Sequence, residues 1–560
     1  MGRKIIVIGG VAAGTKAAAK AKREDPNSEV IIFTKEEYIS YSGCGLPYFI
    51  GKVVQSKDHL ILRTPQEFKH SLGIDVYTKH EVIDVDKQNK KVIVKDLSTN
   101  NIKEYFYDKL IIATGASPVK PNIEGINLKR VFTLRSVGDA LKIREILDND
   151  PPKNPVIVGG GFIGLELAEN LKERGFDVKI IEVADQILPG YDFEIAKLVE
   201  KYLIEEKGVK VFTSKKIVKI LGNEEQEVSK VLLDSGEEIE TDLLIWSAGI
   251  RPNVELAKKI GIEIGSTGAI RVDKYMRTNI EDIYSAGDCC ETTNLVCNKP
   301  AWVPLGSTAN KMGRVAGNNV VYDNEENFES FEGVLGTNIL KLFSLTIAKT
   351  GLSERQAREE GFEVESVIVP SDDKAHYYPT SKMVILKLIA DKKTGRILGA
   401  QGIGEGTVDK FIDIIASFIY LNGTVWGLSK VDLAYSPPYS MALSSVIVTA
   451  NVMKNKLTGK LKGINPYELY KRIKEGDKNL LLVDVRTEPE FVISSIPGSI
   501  NIPLDELVEK VDMIDKNKEI VLICGLGKRA YQAYTKLRSF GFTNLKILDG
   551  GLKAYPFELI

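Results

Sequence analysis

One pattern constrains the fold of this chain more than any other: a strand, a glycine-rich turn, a helix and a second strand occur twice, about 150 residues apart. The first copy opens with Lys4–Gly9 (KIIVIG) and closes with Glu29–Phe33 (EVIIF). The second opens with Pro155–Gly159 (PVIVG) and closes with Asp177–Glu182 (DVKIIE). In such a βαβ unit the turn and the helix N-terminus hold the pyrophosphate of a dinucleotide. The sequence therefore predicts two Rossmann-like dinucleotide-binding modules.

The composition argues against several broad classes of protein. The chain has 560 residues with 75 basic and 76 acidic side chains, a balance that argues against nucleic acid or an anionic membrane as partner. Its densest apolar stretch, Phe411–Leu421, is shorter than the ~18 residues of a membrane span. Five cysteines are too few for a disulfide framework, and four histidines without ligand spacing argue against a metal site. The N-terminus has no signal-peptide pattern, so we expect a cytoplasmic protein without a membrane span or metal.

The second fingerprint follows the G-x-G-x-x-G pattern in the context that it requires, between a strand and a helix. Glu182 ends the next strand, where an acid accepts a hydrogen bond from the ribose 2′-hydroxyl, and no Arg or Lys follows it to bind a 2′-phosphate. The pattern therefore favours NADH over NADPH. The predicted contacts of this cofactor are Gly159, Gly161, Phe162, Ile163, Gly164, Glu166 and Glu182.

The first fingerprint departs from the pattern, because Val11 stands where the middle glycine belongs and Thr34 stands where an acid is expected. Two later segments support it as a cofactor site. Leu110–Gly115 is a strand that runs into a turn, and the segment before Asp288 ends another strand with a carboxylate that can accept from a ribityl hydroxyl. The predicted contacts are Gly9, Gly10, Ala12, Ala13, Gly14, Thr34, Lys35, Ala113, Thr114, Gly115 and Asp288.

These segments, in this order, resemble the flavoprotein disulfide reductases with two dinucleotide-binding modules, over roughly residues 1 to 450. The resemblance implies that the first module binds FAD and the second binds NAD(P)H. It also implies that Asp288 contacts the flavin ribityl chain and that the backbone at Val82 meets the adenine.

Cys44 lies in a segment punctuated by glycine and proline, Tyr41–Tyr48 (YSGCGLPY), just after the second strand. Relatives of the glutathione reductase type carry two cysteines here, whereas this segment has one. It resembles the coenzyme A-disulfide reductases and their NADH oxidase and peroxidase relatives, in which this single cysteine is the redox centre. Such a thiolate can attack a disulfide or persulfide, or it can cycle through sulfenic acid. A redox-sensing or sulfurtransferase role, in which the flavin does not turn over, is a third alternative.

Two features favour coenzyme A as the substrate. Lys16, Lys20 and Arg23 share one face of the first helix, which suits the phosphates of coenzyme A. Tyr377 and Tyr435 lie in segments that look like the two tyrosine motifs of the coenzyme A-disulfide reductases. By this resemblance both tyrosines would come from the partner subunit of a homodimer. They would approach Cys44 of the other chain and assist the leaving thiolate of the substrate. Two further residues match substrate-contact positions of that family, Ser40 and Lys311.

The C-terminal part carries a second reactive cysteine. The loop from Cys524 to Arg529 (CGLGKR) follows an apolar strand and precedes a helix, so its backbone N–H groups and the Lys528 and Arg529 charges would stabilise an anionic sulfur. Together with Asp484–Arg486 (DVR), this loop closely resembles rhodanese domains over about residues 463–560. The resemblance implies that Cys524 carries a persulfide. Gly525 stands where many thiosulfate-using members have arginine.

The predicted fold class is α/β: two Rossmann-like modules, an α+β dimerisation domain and a C-terminal rhodanese domain. We expect an enzyme that uses FAD and NADH to reduce coenzyme A persulfide, polysulfide or coenzyme A disulfide at Cys44, while Cys524 carries sulfane sulfur. The predicted domains are 1–150 and 270–327 for FAD, 151–269 for NAD(P)H, 328–453 for dimerisation, 454–464 as a linker and 465–560 for rhodanese.

Overall fold

The computed structural model describes residues 2–560, which form two compact units. The first unit contains the residues up to 183 together with 215–334, and the second contains 184–214 together with 335–560. The alternation of strands and helices confirms the predicted α/β class, with an antiparallel sheet in the second unit.

The first unit is built around two parallel sheets. In the first sheet the central strand is Lys4–Ile8, which leads into the first glycine-rich turn. Its apolar residues are buried on both faces, as expected for a central parallel strand. The strands of this sheet lie in the order Ile283–Ser285, Lys109–Ile112, Lys4–Ile8, Glu29–Phe33 and Asp75–Tyr77. The helix Ala12–Glu24 packs closely on Gly306–Asn319, since a Cβ on Gly313 would lie 2.4 Å from the Ala13 carbonyl oxygen.

The second parallel sheet holds the second fingerprint. Its strands within this unit lie in the order Lys179–Ile181, Pro155–Val158, Leu243–Trp246 and Val131–Thr133. The strand Val131–Thr133 falls inside the range predicted for the FAD module but pairs with Leu244–Trp246. The sequence gives no signal of this crossover because three-residue strands carry almost no periodicity.

Smaller elements complete the first unit. Two antiparallel sheets contain His80–Asp86, Lys91–Asp96 and Ile102–Phe106, and Ile217–Gly222, Val228–Leu233 and Glu238–Glu240. Two-stranded ribbons pair Ala116–Pro118 with Ile250–Pro252 and Thr292–Asn294 with Lys299–Ala301. The other helices are Leu46–Ile50, Pro65–Leu72, Val137–Asn149, Phe162–Glu173 and Glu255–Lys259, with short 3₁₀ turns at Gly43–Gly45, Lys57–His59 and Glu325–Asn327.

The second unit contains an antiparallel sheet and a parallel sheet. The antiparallel strands lie in the order Asn338–Leu342, Leu345–Gly351, Ile397–Gly404, Met383–Asp391 and Val364–Asp372. The parallel strands lie in the order Gly463–Ile464, Leu545–Leu548, Glu519–Ile523, Leu480–Asp484 and Ile500–Asn501. The unit also contains Phe193–Glu205, Lys210–Phe212, Glu354–Glu359, Val408–Tyr420, Val425–Leu428, Ser445–Leu457, Pro466–Lys474, Glu488–Ile493, Lys528–Ser539 and 3₁₀ turns at Val511–Met513 and Gly551–Ala554.

The segment 454–464, predicted as a solvated linker, has a different structure. The helix Ser445–Leu457 runs into it, and Gly463–Ile464 is an edge strand of the C-terminal parallel sheet. Lys456 is buried and pairs with Asp549. The prediction of a linker rested on the lysines and glycines of this segment. It did not include Asp549, which lies 93 residues further along the chain and pairs with Lys456 in the interior.

Candidate active site

Cys44 lies at the surface of the first unit, in the 3₁₀ turn Gly43–Gly45. Gly45 is needed in this turn because a Cβ there would lie 2.6 Å from the Leu60 side chain. Pro47 then occupies the first turn of the helix Leu46–Ile50, where its missing N–H costs nothing. The turn therefore presents one thiol on a short, well-packed support.

Two carboxylates influence this thiol. The sulfur keeps an accessible face, yet partial burial raises the pKa of Cys44, and the charges of Glu166 and Asp288 raise it further. Arg135 lies 3.7 Å from the Asp288 carboxylate and acts on Cys44 in the opposite direction. The neutral thiol is thus favoured in the protein alone, and a bound group that adds positive potential would activate it.

Glu166 connects the second fingerprint to Cys44. It lies on the helix Phe162–Glu173, and the Tyr48 hydroxyl donates to its carboxylate at 3.4 Å. Burial raises the pKa of Glu166 to about 7, with Glu169 acting in the same direction, so this carboxyl holds a proton for much of the time at neutral pH. The sequence identified Glu166 only as a nucleotide contact, and its influence on Cys44 emerges from the tertiary structure.

The first fingerprint fits a dinucleotide. Gly9 has φ of +117°, and a Cβ on Gly14 would lie 2.0 Å from the Gly9 carbonyl oxygen, so the turn and the helix are in direct contact. Within residues 2–560, no side chain caps the helix that begins at Ala12. Its N-terminus is therefore suited to bind pyrophosphate. Ala13 and Gly10 are buried beside it, and a Cβ on Gly287 would lie 2.7 Å from Ala13, which brings the Asp288 turn close to the helix.

The other residues predicted for this site are distributed around the same sheet. Thr34 is buried, and its hydroxyl accepts from the Glu36 N–H at 3.3 Å, which closes the turn after the second strand. Lys35 is exposed beside it. Val82 pairs with Val94 in the antiparallel sheet. The turn Ala113–Gly115 follows the strand Lys109–Ile112, and the Thr114 hydroxyl donates to the Asn253 carbonyl at 2.7 Å.

The second fingerprint has the same construction with more open space. Gly159 has φ of +105°, and a Cβ on Gly164 would lie 2.0 Å from its carbonyl oxygen. A Cβ on Gly161, by contrast, would meet no atom of the described chain within 4 Å apart from its neighbours. That space lies at the start of the helix Phe162–Glu173, where a pyrophosphate binds in such folds. Glu182 is buried, and its carboxylate accepts from the Gly160 N–H at 2.7 Å.

The basic face predicted on the first helix is only partly available. Lys20 is buried and pairs with Glu24 and with Glu329, so its charge is already compensated. Lys16 is half-buried and Arg23 is exposed. The spacing predicts all three cations on one face of the helix, but Glu24 and Glu329 form ion pairs with Lys20.

Ser40 and Lys311 also lie in the first unit. Ser40 adopts a left-handed conformation, with φ of +48°, and its N–H donates to the Gly10 carbonyl at 2.8 Å. It therefore joins the Cys44 segment to the first fingerprint. Lys311 is exposed on the helix Gly306–Asn319.

Tyr377 and Tyr435 lie in the second unit, in segments outside helices and strands. Their exposed fractions, 66% and 52%, are high for tyrosine. Both side chains are therefore accessible to a neighbouring molecule.

Cys524 lies at the end of the strand Glu519–Ile523 and is almost fully buried. The Gly527 N–H donates to its sulfur at 3.1 Å and the Ala530 N–H at 3.4 Å, as expected for a loop that stabilises an anionic sulfur. Gly527 has φ of +96°, which allows the loop to turn into the helix Lys528–Ser539. The chain therefore contains a second thiol in a backbone N–H cradle.

The two cations predicted near Cys524 differ. Lys528 is exposed, whereas Arg529 donates to both Glu490 carboxylate oxygens, at 2.6 and 2.7 Å. This pairing lowers the pKa of Glu490 to about 2. Arg486 and Asp484, from the same domain, form a buried ion pair at 2.7 Å. The Arg529 charge is thus shared with Glu490, which the sequence did not predict.

The remaining cysteines pack in the interior or at its edge. Cys289 and Cys290 are buried with their sulfurs 3.8 Å apart, and Cys290 contacts Ser285. Across residues 2–560 all five cysteines are unpaired. The same residues contain no group of three or more potential ligands that could hold a metal. None of their helices is both long and apolar enough to cross a membrane.

Two dinucleotide cradles, one exposed thiol and a second thiol in an anion-binding loop define an oxidoreductase joined to a sulfur-binding module. Comparison with known families agrees with this class. Residues 3–313 match the model for pyridine nucleotide-disulphide oxidoreductases, 338–446 match the dimerisation domain of the same family, and 465–556 match the rhodanese-like domain.

Individual relatives extend the similarity over the whole chain. A persulfide reductase from A. fulgidus, described as NAD-dependent, has 42% identity and a TM-score of 0.92, covering 99% of this chain and 100% of its own. The reduced CoADR-RHD of Bacillus anthracis has 36% identity and a TM-score of 0.93, covering 99% and 98%. A curated NAD(P)H coenzyme A polysulfide/persulfide reductase from Pyrococcus horikoshii is 38% identical over 455 residues, covering 81% of this chain and 99% of its own.

The chain therefore belongs to the pyridine nucleotide-disulphide oxidoreductase family and carries a C-terminal rhodanese-like domain. It is a flavoprotein oxidoreductase that depends on FAD and NAD(P)H. The predicted family and fold class are confirmed.

Proposed function

We propose that this enzyme uses NADH to reduce coenzyme A persulfide, polysulfide or coenzyme A disulfide at Cys44, and that Cys524 carries sulfane sulfur for the same pathway. The observation that carries the proposal is the single exposed thiol of Cys44, set apart from the buried pair Cys289 and Cys290. Because the other cysteines of the described residues are buried or half-buried, reduction would proceed through a covalent intermediate on Cys44 and not through an internal disulfide.

The residues of this chain divide the work. Bound FAD would supply the two-electron chemistry that links NADH to sulfur. The Cys44 thiolate attacks the S–S bond of the substrate, and coenzyme A or sulfide leaves with the bonding electron pair. Glu166, with its pKa of about 7, can supply a proton near the reacting sulfur, and Tyr48 orients its carboxyl. Asp288 and the uncapped helix at Ala12 would hold the FAD, and Glu182 would hold the ribose of the nicotinamide nucleotide.

We further propose a homodimer in which Tyr377 and Tyr435 reach the partner subunit's active site. The match of residues 338–446 to a dimerisation domain supports this arrangement, since it contains both tyrosines. Their high exposure in one chain is the expected consequence of a role completed by a second copy. We propose that coenzyme A is contacted by Ser40, Lys311, Lys16 and Arg23. Lys20 is not included, because it pairs with Glu24 and Glu329.

The proposed compartment is the reducing cytoplasm, because five unpaired cysteines would be at risk of oxidation elsewhere. The preference for NADH over NADPH rests on Glu182, whose carboxylate is buried at the end of its strand. The residue that follows it in the chain is Val183, and not the Arg or Lys that would bind a 2′-phosphate.

The test is anaerobic NADH oxidation by the purified protein with coenzyme A persulfide, polysulfide and coenzyme A disulfide as substrates. We expect rapid turnover that Cys44→Ser abolishes and the control Cys297→Ser leaves unchanged. Loss of the sulfur-dependent rate in Cys524→Ser would indicate that the two thiols act in series. Consumption of NADH only when oxygen or peroxide is admitted would replace the proposal by an oxidase or peroxidase that cycles Cys44 through sulfenic acid.

A further inference from the structure

A buried lysine connects the antiparallel sheet of the second unit to the segment that supports the Cys524 loop. Lys456, near the end of the helix Ser445–Leu457, and Asp549 have side chains that are 5% and 7% exposed. The Lys456 ammonium donates to the Asp549 carboxylate and to the Ser366 carbonyl, both at 2.6 Å, and reaches Glu365 at 3.4 Å. One charged group thus joins a helix, a strand and a loop that are far apart in sequence.

The space around this contact is tight. A Cβ on Gly463 would lie 2.4 Å from the Asp549 carboxylate and 2.7 Å from the Lys456 nitrogen. A Cβ on Gly550 would lie 3.1 Å from the Ile368 side chain. Because such contacts leave no room for movement, the position of Asp549 is determined by Lys456 and by the strand beneath it.

Asp549 in turn begins the segment that holds the Cys524 loop. The Leu552 N–H donates to the Cys524 carbonyl at 2.9 Å, and the Lys553 N–H donates to the Gly525 carbonyl at 3.1 Å. A Cβ on Gly551, which has φ of +57°, would lie 2.3 Å from the Cys524 carbonyl oxygen. These contacts hold the Cys524 and Gly525 carbonyls in place, and the Gly527 and Ala530 N–H groups of the same loop donate to the Cys524 sulfur.

The same ammonium also joins the elements that lead to the two tyrosine segments. The strand Val364–Asp372 continues toward Tyr377, and the helix Ser445–Leu457 follows the segment that contains Tyr435. The Ser445 hydroxyl donates to the Asp372 carbonyl at 2.9 Å, which ties the helix start to the strand end. Within this unit the Cys524 loop is therefore connected through Asp549 and Lys456 to the strand Val364–Asp372 and the helix Ser445–Leu457.

We propose that Lys456 is a positioning residue for the sulfur chemistry of Cys524, acting through Asp549 on the loop that forms the N–H cradle. The inference rests on the proposed sulfur-carrying role of Cys524. The reaction concerned is attack of the Cys524 thiolate on the terminal sulfur of a polysulfide: a Cys524 persulfide forms, the S–S bond breaks, and the polysulfide shortened by one sulfur leaves with the electron pair. A misplaced cradle would stabilise the persulfide anion less and slow this step.

A purely structural role for Lys456 makes a different prediction. Removing one partner of a buried ion pair leaves an uncompensated charge, whereas replacing both partners by neutral groups is often nearly neutral for stability. If Lys456 only compensates Asp549, the variant Lys456→Met/Asp549→Asn should recover both stability and sulfur transfer. If Lys456 positions the loop, the double variant should recover stability while sulfur transfer stays slow.

The experiment uses the full-length FAD-containing chain with Cys44→Ser in every variant, so that sulfane sulfur is read at Cys524. Polysulfide loads the protein for timed intervals, and cyanide then removes the persulfide sulfur as thiocyanate, which is counted per chain. We expect Lys456→Met to lower both the loading rate and the thermal midpoint, the loading rate at least tenfold. The double variant should unfold closer to the parent temperature than Lys456→Met does but should still load slowly, and the exposed control Lys460→Met should match the parent.

Two outcomes would overturn the inference in distinguishable ways. Parent-like loading in the double variant, or in Lys456→Met, would leave Cys524 as a sulfur carrier and remove Lys456 from its positioning. Equal sulfur content in the parent and in Cys524→Ser would overturn the carrier role itself, and the Lys456 inference with it.

Discussion

Substitution of Lys387 by methionine should destabilise the second unit strongly. Lys387 is 1% exposed, and its ammonium lies 2.9 Å from Asp192, 2.5 Å from Glu194 and 2.8 Å from Glu354. These carboxylates raise the pKa of Lys387 against the effect of burial, and Lys387 keeps the pKa of Glu354 below its usual value although burial opposes this. Removing one member of a buried ion pair costs about 3–5 kcal/mol, and here it strands three carboxylates together.

The loss should depend on pH in a defined direction. In Lys387→Met the Glu354 carboxylate loses the cation that holds its pKa down, so burial raises the folded-state pKa of Glu354 above that in the unfolded chain. Such a shift favours folding below the unfolded pKa and disfavours it as pH rises through the folded pKa. The deficit of the variant should therefore be largest near pH 8 and shrink toward pH 5.

Urea unfolding measures this effect in a Trp246→Phe/Trp302→Phe background, where Trp426 fluorescence reports the second unit. Lys393→Met is the matched control, because Lys393 is exposed on the same domain and pairs with Glu363 at the surface. Exposed pairs contribute little, so the control should match the parent. Coincident midpoints for Lys387→Met and Lys393→Met would refute the reasoning.

Three further predictions concern the cofactor and sulfur sites. Glu166→Gln removes a charge that raises the pKa of Cys44 and is ionised above about pH 7, so the pH profile of Cys44 alkylation should move to lower pH; an unchanged profile contradicts the coupling. Gly161→Ala should fold normally and weaken NADH binding severalfold in titrations, because its Cβ enters the space for pyrophosphate. Gly164→Ala, by contrast, should unfold at lower temperature, because its Cβ would lie 2.0 Å from the Gly159 carbonyl oxygen. Glu490→Gln releases Arg529 beside Cys524, so loading of Cys524 from the anion thiosulfate should accelerate; a slower rate would show that Glu490 is needed to hold Arg529 in place.

Local sequence was sufficient for the parts of the site that depend on short-range geometry. The glycines at Gly9, Gly14, Gly159 and Gly164 were predicted from spacing, and the structure gives the reason, since each turn touches its own helix. The Cys524 loop was predicted from a strand, two glycines and a helix start within a few residues. In such motifs the backbone conformation and the ligand cradle are both encoded in one short segment.

The sequence by itself determined the class of this protein: two dinucleotide modules, a dimerisation domain and a rhodanese-like domain. The tertiary structure decided how the charges are used. It paired Lys20 with Glu329 and Arg529 with Glu490, coupled Glu166 to Cys44, and converted the expected linker around Lys456 into a buried ion-pair contact with Asp549. The physical reason is that a charge acts on whatever lies within a few ångströms of it, and these partners are separated in the chain by tens to hundreds of residues.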